Sequence, residues 1–117
     1  MSWYTDTVVC IDPEHAMGFF SMLKAIKATP DKVAYDSDYG ASALWQNRNH
    51  FHASVEWKAV QSYLDSIPDE SWGCEVVDED WDRDVTGCYG VTHCARIEYD
   101  LEGGSVDLDL IGTEEAD

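Results

Sequence analysis

An α+β fold, with an antiparallel sheet of about five strands and two helices packed on one face, is predicted by three features of the sequence. Segments rich in aromatic and β-branched residues are bounded by turn residues, two apolar repeats have helical period, and a long alternating run is closed by Gly103-Gly104. The order reads β-α-β-β-(β)-α-β-β-β, which suits helices segregated to one side of an antiparallel sheet.

Trp3 to Ile11 reads as the first strand. Asp12-Pro13-Glu14 is a helix start, with an N-cap carboxylate, proline at the first helical position and an acid in the first turn. Ala16, Phe19, Phe20, Leu23 and Ile26 follow at helical spacing, Lys24 and Lys27 suit the C-terminal end of the dipole, and Pro30 is expected to stop the helix. Lys32 to Tyr35 is a short strand ended by Asp36-Ser37-Asp38-Tyr39-Gly40. Ala41 to Gln46 and Asn49 to Ala53 are expected as a hairpin turning at Asn47-Arg48-Asn49. In the second helix Val60, Tyr63, Leu64 and Ile67 repeat at i, i+3, i+4 and i+7, and Pro68 ends it. Its start has two readings: Ser54 as cap with Glu56 in the first turn, or His50 to Trp57 as one longer strand.

Cys74 to Val77 begins a β-like region that runs into the acidic block Asp78 to Asp84. In the last third Val91, His93, Ala95, Ile97, Tyr99 and Leu101 alternate with Thr92, Cys94, Arg96, Glu98, Asp100 and Glu102. The return strand sets Val106, Leu108 and Leu110 against Asp107 and Asp109. Residues 1–112 are thus one compact domain and 113–117 an acidic tail; the chain shows no internal repeat.

Twenty-four acidic and seven basic side chains give a net charge of −17 over 117 residues, while a 44% hydrophobic content supports a core. Such a chain repels DNA, RNA and anionic membranes, so its expected partners are cationic. No apolar run is long enough for a membrane helix, and the first residues lack signal-peptide character, so a cytoplasmic address is expected. A compact chain of this length is roughly 35 Å across. A duplex segment of about 35 Å carries about 20 phosphate charges, close to the total here.

The layout of the acids matters more than their number. Pairing the strands outward from Gly103-Gly104 sets Leu101, Tyr99 and Ile97 against Val106, Leu108 and Leu110. The opposite face then pairs Asp100 with Asp107 and Glu98 with Asp109, with Glu102 beside the turn. Like charges directly opposed cost up to about 1 kcal/mol per pair, so selection for folding alone would avoid them. Spacings of about 6.6 Å along a strand and about 4.8 Å between strands are of phosphate-like scale. Asp78, Glu79, Asp80, Asp82 and Asp84 form a second acidic block, and Trp81 within it is either an aromatic anchor for a basic partner or a cover for the sheet edge.

Other chemistries fit less well. Asp78-x-Asp80-x-Asp82 begins like an EF-hand loop, but Arg83 and Tyr89 stand where glycine and a bidentate glutamate are required. Cys10, Cys74, Cys88 and Cys94 lack a close zinc-knuckle pair and are expected as buried or idle thiols rather than disulfides. His50-x-His52 would place two imidazoles on one strand face, and His93 suits a core histidine. No nucleophile elbow, P-loop or dinucleotide fingerprint occurs, so neither catalysis nor a cofactor or metal is expected.

In composition the chain resembles the small acidic DNA-mimic proteins of phages and bacteria, a class that shares charge and not a consensus. The resemblance implies a non-enzymatic inhibitor that occupies the DNA-binding surface of a basic protein. Its target would be a nucleoid protein such as HU, a restriction enzyme, a CRISPR effector, gyrase or a repressor. Asp78, Glu79, Asp80, Trp81, Asp82, Asp84, Glu98, Asp100, Glu102, Asp107 and Asp109 would form the contact surface. An immunity protein blocking a nuclease toxin, a halophilic acidic protein and a metal-binding protein are the alternatives.

Overall fold

The computed structural model describes residues 4–38, 40–78 and 83–89. Within them the fold is α+β: one five-stranded antiparallel sheet with two helices on one face. The elements are β1 (Tyr4–Ile11), α1 (Pro13–Ala25), β2 (Lys32–Asp36), β3 (Gly40–Asn49), α2 (Val55–Asp65), β4 (Trp72–Asp78) and β5 (Arg83–Gly87). Sheet order is β2-β3-β1-β4-β5, so β1 is central. Both β1 and β2 run antiparallel to β3, and both β3 and β4 run antiparallel to β1. Each helix therefore crosses over a strand it does not precede or follow directly, giving two interlocked split β-α-β units of ferredoxin-like connectivity. β5 extends the sheet beyond β4.

The helix start at Asp12 forms as its chemistry dictates. The Asp12 carboxylate accepts the His15 amide at 3.0 Å and Pro13 opens the helix. Ala16, Phe19, Phe20 and Leu23 are the buried stripe of α1. Pro30 does not end it. A Schellman closure ends it earlier: the Lys27 amide bonds the Lys24 carbonyl, the Ala28 amide bonds the Leu23 carbonyl, and Lys27 is left-handed at φ 55°. Ser54 caps α2 by accepting the Trp57 amide at 3.1 Å, which settles the two readings of that segment in favour of the helix. Trp57, Val60 and Leu64 are its buried stripe. The helices meet at Gly18, where a Cβ would come within 2.8 Å of the Tyr63 hydroxyl, and that hydroxyl donates to the His15 carbonyl.

Residues 41–53 are not a hairpin. Asn47 adopts a left-handed conformation inside a single strand, where a bulge sets two residues of β3 against one of β1 between Thr5 and Thr7. The Asp6 carboxylate accepts the Asn47 amide at 2.7 Å and secures the bulge. The same left-handed tolerance of asparagine that suits turns serves here to twist a strand. His50, also left-handed, ends β3, and Phe51–Ala53 forms a 3₁₀ turn. At the β2–β3 turn, Gly40 has φ 97° and a Cβ there would lie 1.9 Å from the Ile11 carbonyl, so only glycine fits.

The residues of β5 belong to the sheet and not to an acidic loop: Val85 pairs with Glu75 and Asp84 with Val76. The expected hairpin between residues 91 and 110 and the tail 113–117 lie outside the described residues.

One sheet face carries the main core, with Val9, Ile11, Ala41, Ala43 and Trp45 packed under α1 and α2. Phe51 and Trp57 stack around Trp45, with ring centroids 5.3 and 6.4 Å from it. The centre of the opposite face is buried as well: Val8, Cys10, Ala34 and Leu44 form a second apolar cluster, with Ser42 and Glu75 also buried. Two β-branched or aliphatic rows on opposite sides of β1 follow from the unbroken apolar run Val8 to Ile11, which is the pattern of a strand covered on both faces. No described helix is long and apolar enough to cross a membrane.

Candidate protein-binding surface

Of the predicted contact residues, Asp78 and Asp84 are described and both are exposed. Glu79, Asp80, Trp81, Asp82, Glu98, Asp100, Glu102, Asp107 and Asp109 lie outside the described residues. Asp84 pairs with Val76, and Asp78 stands two residues further along the same strand, opposite Thr5. The two carboxylates therefore share a sheet face as diagonal neighbours on adjacent strands, roughly 7–8 Å apart at their Cα positions. That places both on the helix-bearing face, the face that also carries Cys74 and Val76.

Other carboxylates are committed to the fold. Asp31 accepts the Gln46 amide at 2.6 Å and Arg48 at 3.3 Å. Glu56 accepts the Trp45 indole N–H at 2.5 Å, the Thr29 amide at 2.9 Å and the Thr29 hydroxyl at 3.0 Å. Arg48 also donates to the Thr29 carbonyl and hydroxyl. One cluster thus ties the α1–β2 connection to β3 and to the first turn of α2. From the sequence alone Glu56 is only a first-turn acid of α2. Its partners lie 11 and 27 residues away, and no local pattern signals them.

Asp12 is held below the ordinary carboxylate range. Its partial burial pushes upward, but hydrogen bonds from His15 and Ser71 and the nearby imidazole outweigh that. His15 Nδ1 lies 2.8 Å from the Asp12 carboxylate. Asp12, Glu14 and His15 bring three ligand atoms within 4.8 Å of one another, the closest approach to a metal site among the described residues. Asp12 is spent as a cap there, so the group reads as a helix terminus.

The two imidazoles of His50-x-His52 do not share a strand face, because the chain leaves β3 at His50. His52 lies against Trp57, ring centroids 4.8 Å apart, and its Nε2 is 3.1 Å from the Thr7 hydroxyl. Burial lowers its pKa, favouring the neutral ring.

The thiols divide. Cys74 and Cys88 are free, as expected. Burial foremost pushes the Cys74 thiol up to about 12, with the Glu75 charge adding and a Thr86 hydrogen bond opposing, so it is inert. Cys10 departs from the expectation of idle thiols: it is disulfide-bonded.

No protein-family model, curated protein or solved structure matches the chain.

Proposed function

We propose that the protein is a non-enzymatic DNA mimic that occupies the DNA-binding surface of a basic protein, with an HU-like nucleoid protein as the first target to test. The observation that carries this reading is the segregation of charge along the chain. From residue 78 onward there are thirteen acids and two bases, whereas the preceding 77 residues hold eleven acids and five bases. Where this acidic stretch enters the described fold, Asp78 and Asp84 are exposed on one face at a spacing a lysine- or arginine-lined DNA groove can meet.

Binding of this kind is electrostatic. Association is fast at low salt and weakens as the Debye length shrinks from about 30 Å at 0.01 M to about 8 Å at 0.15 M. The test is competition: the protein is titrated against a labelled duplex bound to an HU-like protein at several salt concentrations. Displacement of the duplex that fades with salt is the expected result. Failure to displace it, or an affinity that ignores salt, rejects the mechanism for that target.

A further inference from the structure

We propose that the outer face of the helix layer is the docking surface for a second copy of this chain, turned end for end about a two-fold axis that lies across the helices. The distribution of charge on that face carries the proposal.

α1 and α2 run antiparallel. The Tyr63 hydroxyl, near the end of α2, donates to the His15 carbonyl at the start of α1. Thr29, just beyond α1, is held by Glu56 in the first turn of α2. The ridge that α1 turns away from the sheet is Glu14, Gly18, Ser21 and Lys24, and that of α2 is Lys58, Ser62 and Asp65; all are exposed. Spacings of three and four residues keep each set on one side of its helix, opposite the buried stripes.

Each ridge thus has a carboxylate at one end, small residues in the middle and a lysine at the other end. Because the helices are antiparallel, Glu14 and Asp65 share one end of the layer, and Lys24 and Lys58 share the other. None of these charges has an opposite charge three or four residues away, so pairing within a helix does not account for their placement. Asp65 stands in the last turn of α2, where the helix dipole disfavours an acid and no basic residue offsets it. Val55, 85% exposed, lies on the same side of α2.

Two symmetric arrangements set this face against itself. An axis along the helices stacks α1 on α2 of the second copy, with acidic end on acidic end and lysine end on lysine end. An axis across the helices sets each helix antiparallel on its own copy. Lys24 then meets Glu14 of the partner subunit, Lys58 meets Asp65 of the partner subunit, and symmetry repeats both contacts. Unlike charges pair only in the second arrangement, which is also closed and so stops at a dimer. Gly18, Ser21 and Ser62 keep the centre flat, which suits interaxial distances of about 8 Å.

The size of the face sets the strength. A 13-residue and an 11-residue helix side by side cover roughly 20 Å by 20 Å. That is about half of the roughly 800 Å² per partner in a stable complex, so the dimer is weak and concentration-dependent. The net charge of −17 on each copy also repels over a Debye length, about 30 Å at 0.01 M salt, about 8 Å at 0.15 M and about 3 Å at 1 M. Dimerisation should therefore peak at intermediate salt, where whole-molecule repulsion is screened and contact pairs survive.

The experiment is sedimentation equilibrium of the full chain from micromolar to millimolar concentration at those three salt levels. A monomer–dimer equilibrium strongest near 0.15 M is expected. Monomer at every salt, a dimer indifferent to salt, or open-ended assembly overturns the proposal. Lys24→Glu with Lys58→Glu should weaken the dimer at least about tenfold, because like charges then meet. Adding Glu14→Lys and Asp65→Lys should restore it, and a folded fourfold variant that stays monomeric overturns the pairing. Where circular dichroism shows that variant unfolded, Ser21→Arg at the centre of the face takes its place: loss of the dimer is expected, and unchanged dimerisation overturns the docking surface. The dimer goes beyond the mimic reading, and no duplex or target protein enters its test, so each fails on its own evidence.

Discussion

Around the helices, carboxylates are construction material. Asp12 caps α1, Asp6 holds the bulge at Asn47, Asp31 binds the Gln46 amide, and Glu56 gathers Trp45 and Thr29. At the far end of β4 and β5, the side chains of Asp78 and Asp84 are exposed to solvent. The same residue type is thus used in two ways. A carboxylate that accepts backbone or indole N–H groups is already satisfied and is costly to remove; an exposed one adds little to folding and is available to a partner. A charge total of −17 does not separate these uses, and the geometry does.

Substitutions sharpen the contrast. Trp45→Ala, which empties the aromatic centre and strips Glu56 of its indole donor, is expected to destabilise the fold by about 3–5 kcal/mol in urea denaturation. Glu56→Ala removes three acceptor contacts at once and is expected to cost about 2 kcal/mol by the same measurement. A neutral result would move Glu56 into the second class. Asp12→Ala and Ser54→Ala each remove a helix cap and should cost about 1 kcal/mol.

Acid titration separates two of these groups. Burial depresses the His52 pKa, so the unfolded chain takes up the proton first as pH falls below about 6.5. Stability should decline from there until the folded-state pKa is passed, and His52→Phe should abolish that step. Asp12, depressed in the fold, contributes stability above the ordinary value of 3.8 that is lost as pH falls below it. Denaturation midpoints measured from pH 7 to 3 are expected to show the His52 step first and the Asp12 step later.

The smallest folding effects belong to Asp78→Asn and Asp84→Asn, each within about 0.5 kcal/mol. In the DNA-displacement assay the same pair should weaken binding and flatten its salt dependence. A large loss of stability would place both acids among the structural ones and remove them from the contact surface.

Legibility followed range. Asp12-Pro13-Glu14 and the stripe Ala16, Phe19, Phe20, Leu23 announce α1 because cap and periodicity act within one or two turns. The end of α1 is not legible in the sequence, because a Schellman closure at Lys27, where a non-glycine residue takes φ 55°, leaves no glycine to mark it. Asn47 suggests a turn because its left-handed preference is local, while the bulge that uses it depends on β1. Of the candidate contact surface, the described part retains Asp78 and Asp84 as exposed same-face neighbours, whereas the acids on which the phosphate-like grid chiefly depends lie outside it.

By itself, the sequence determined the acidity, the two amphipathic helices and the start of the first, and an antiparallel α+β architecture, since each depends on composition or on residues within about four positions. Tertiary structure alone decided that 41–49 is one bulged strand, that 83–87 joins the sheet, that its second face is buried, and which carboxylates are bound. Those outcomes depend on partners such as Asp6 and Asn47, or Glu56 and Thr29, that meet only once the sheet closes and its long loops have given up their entropy.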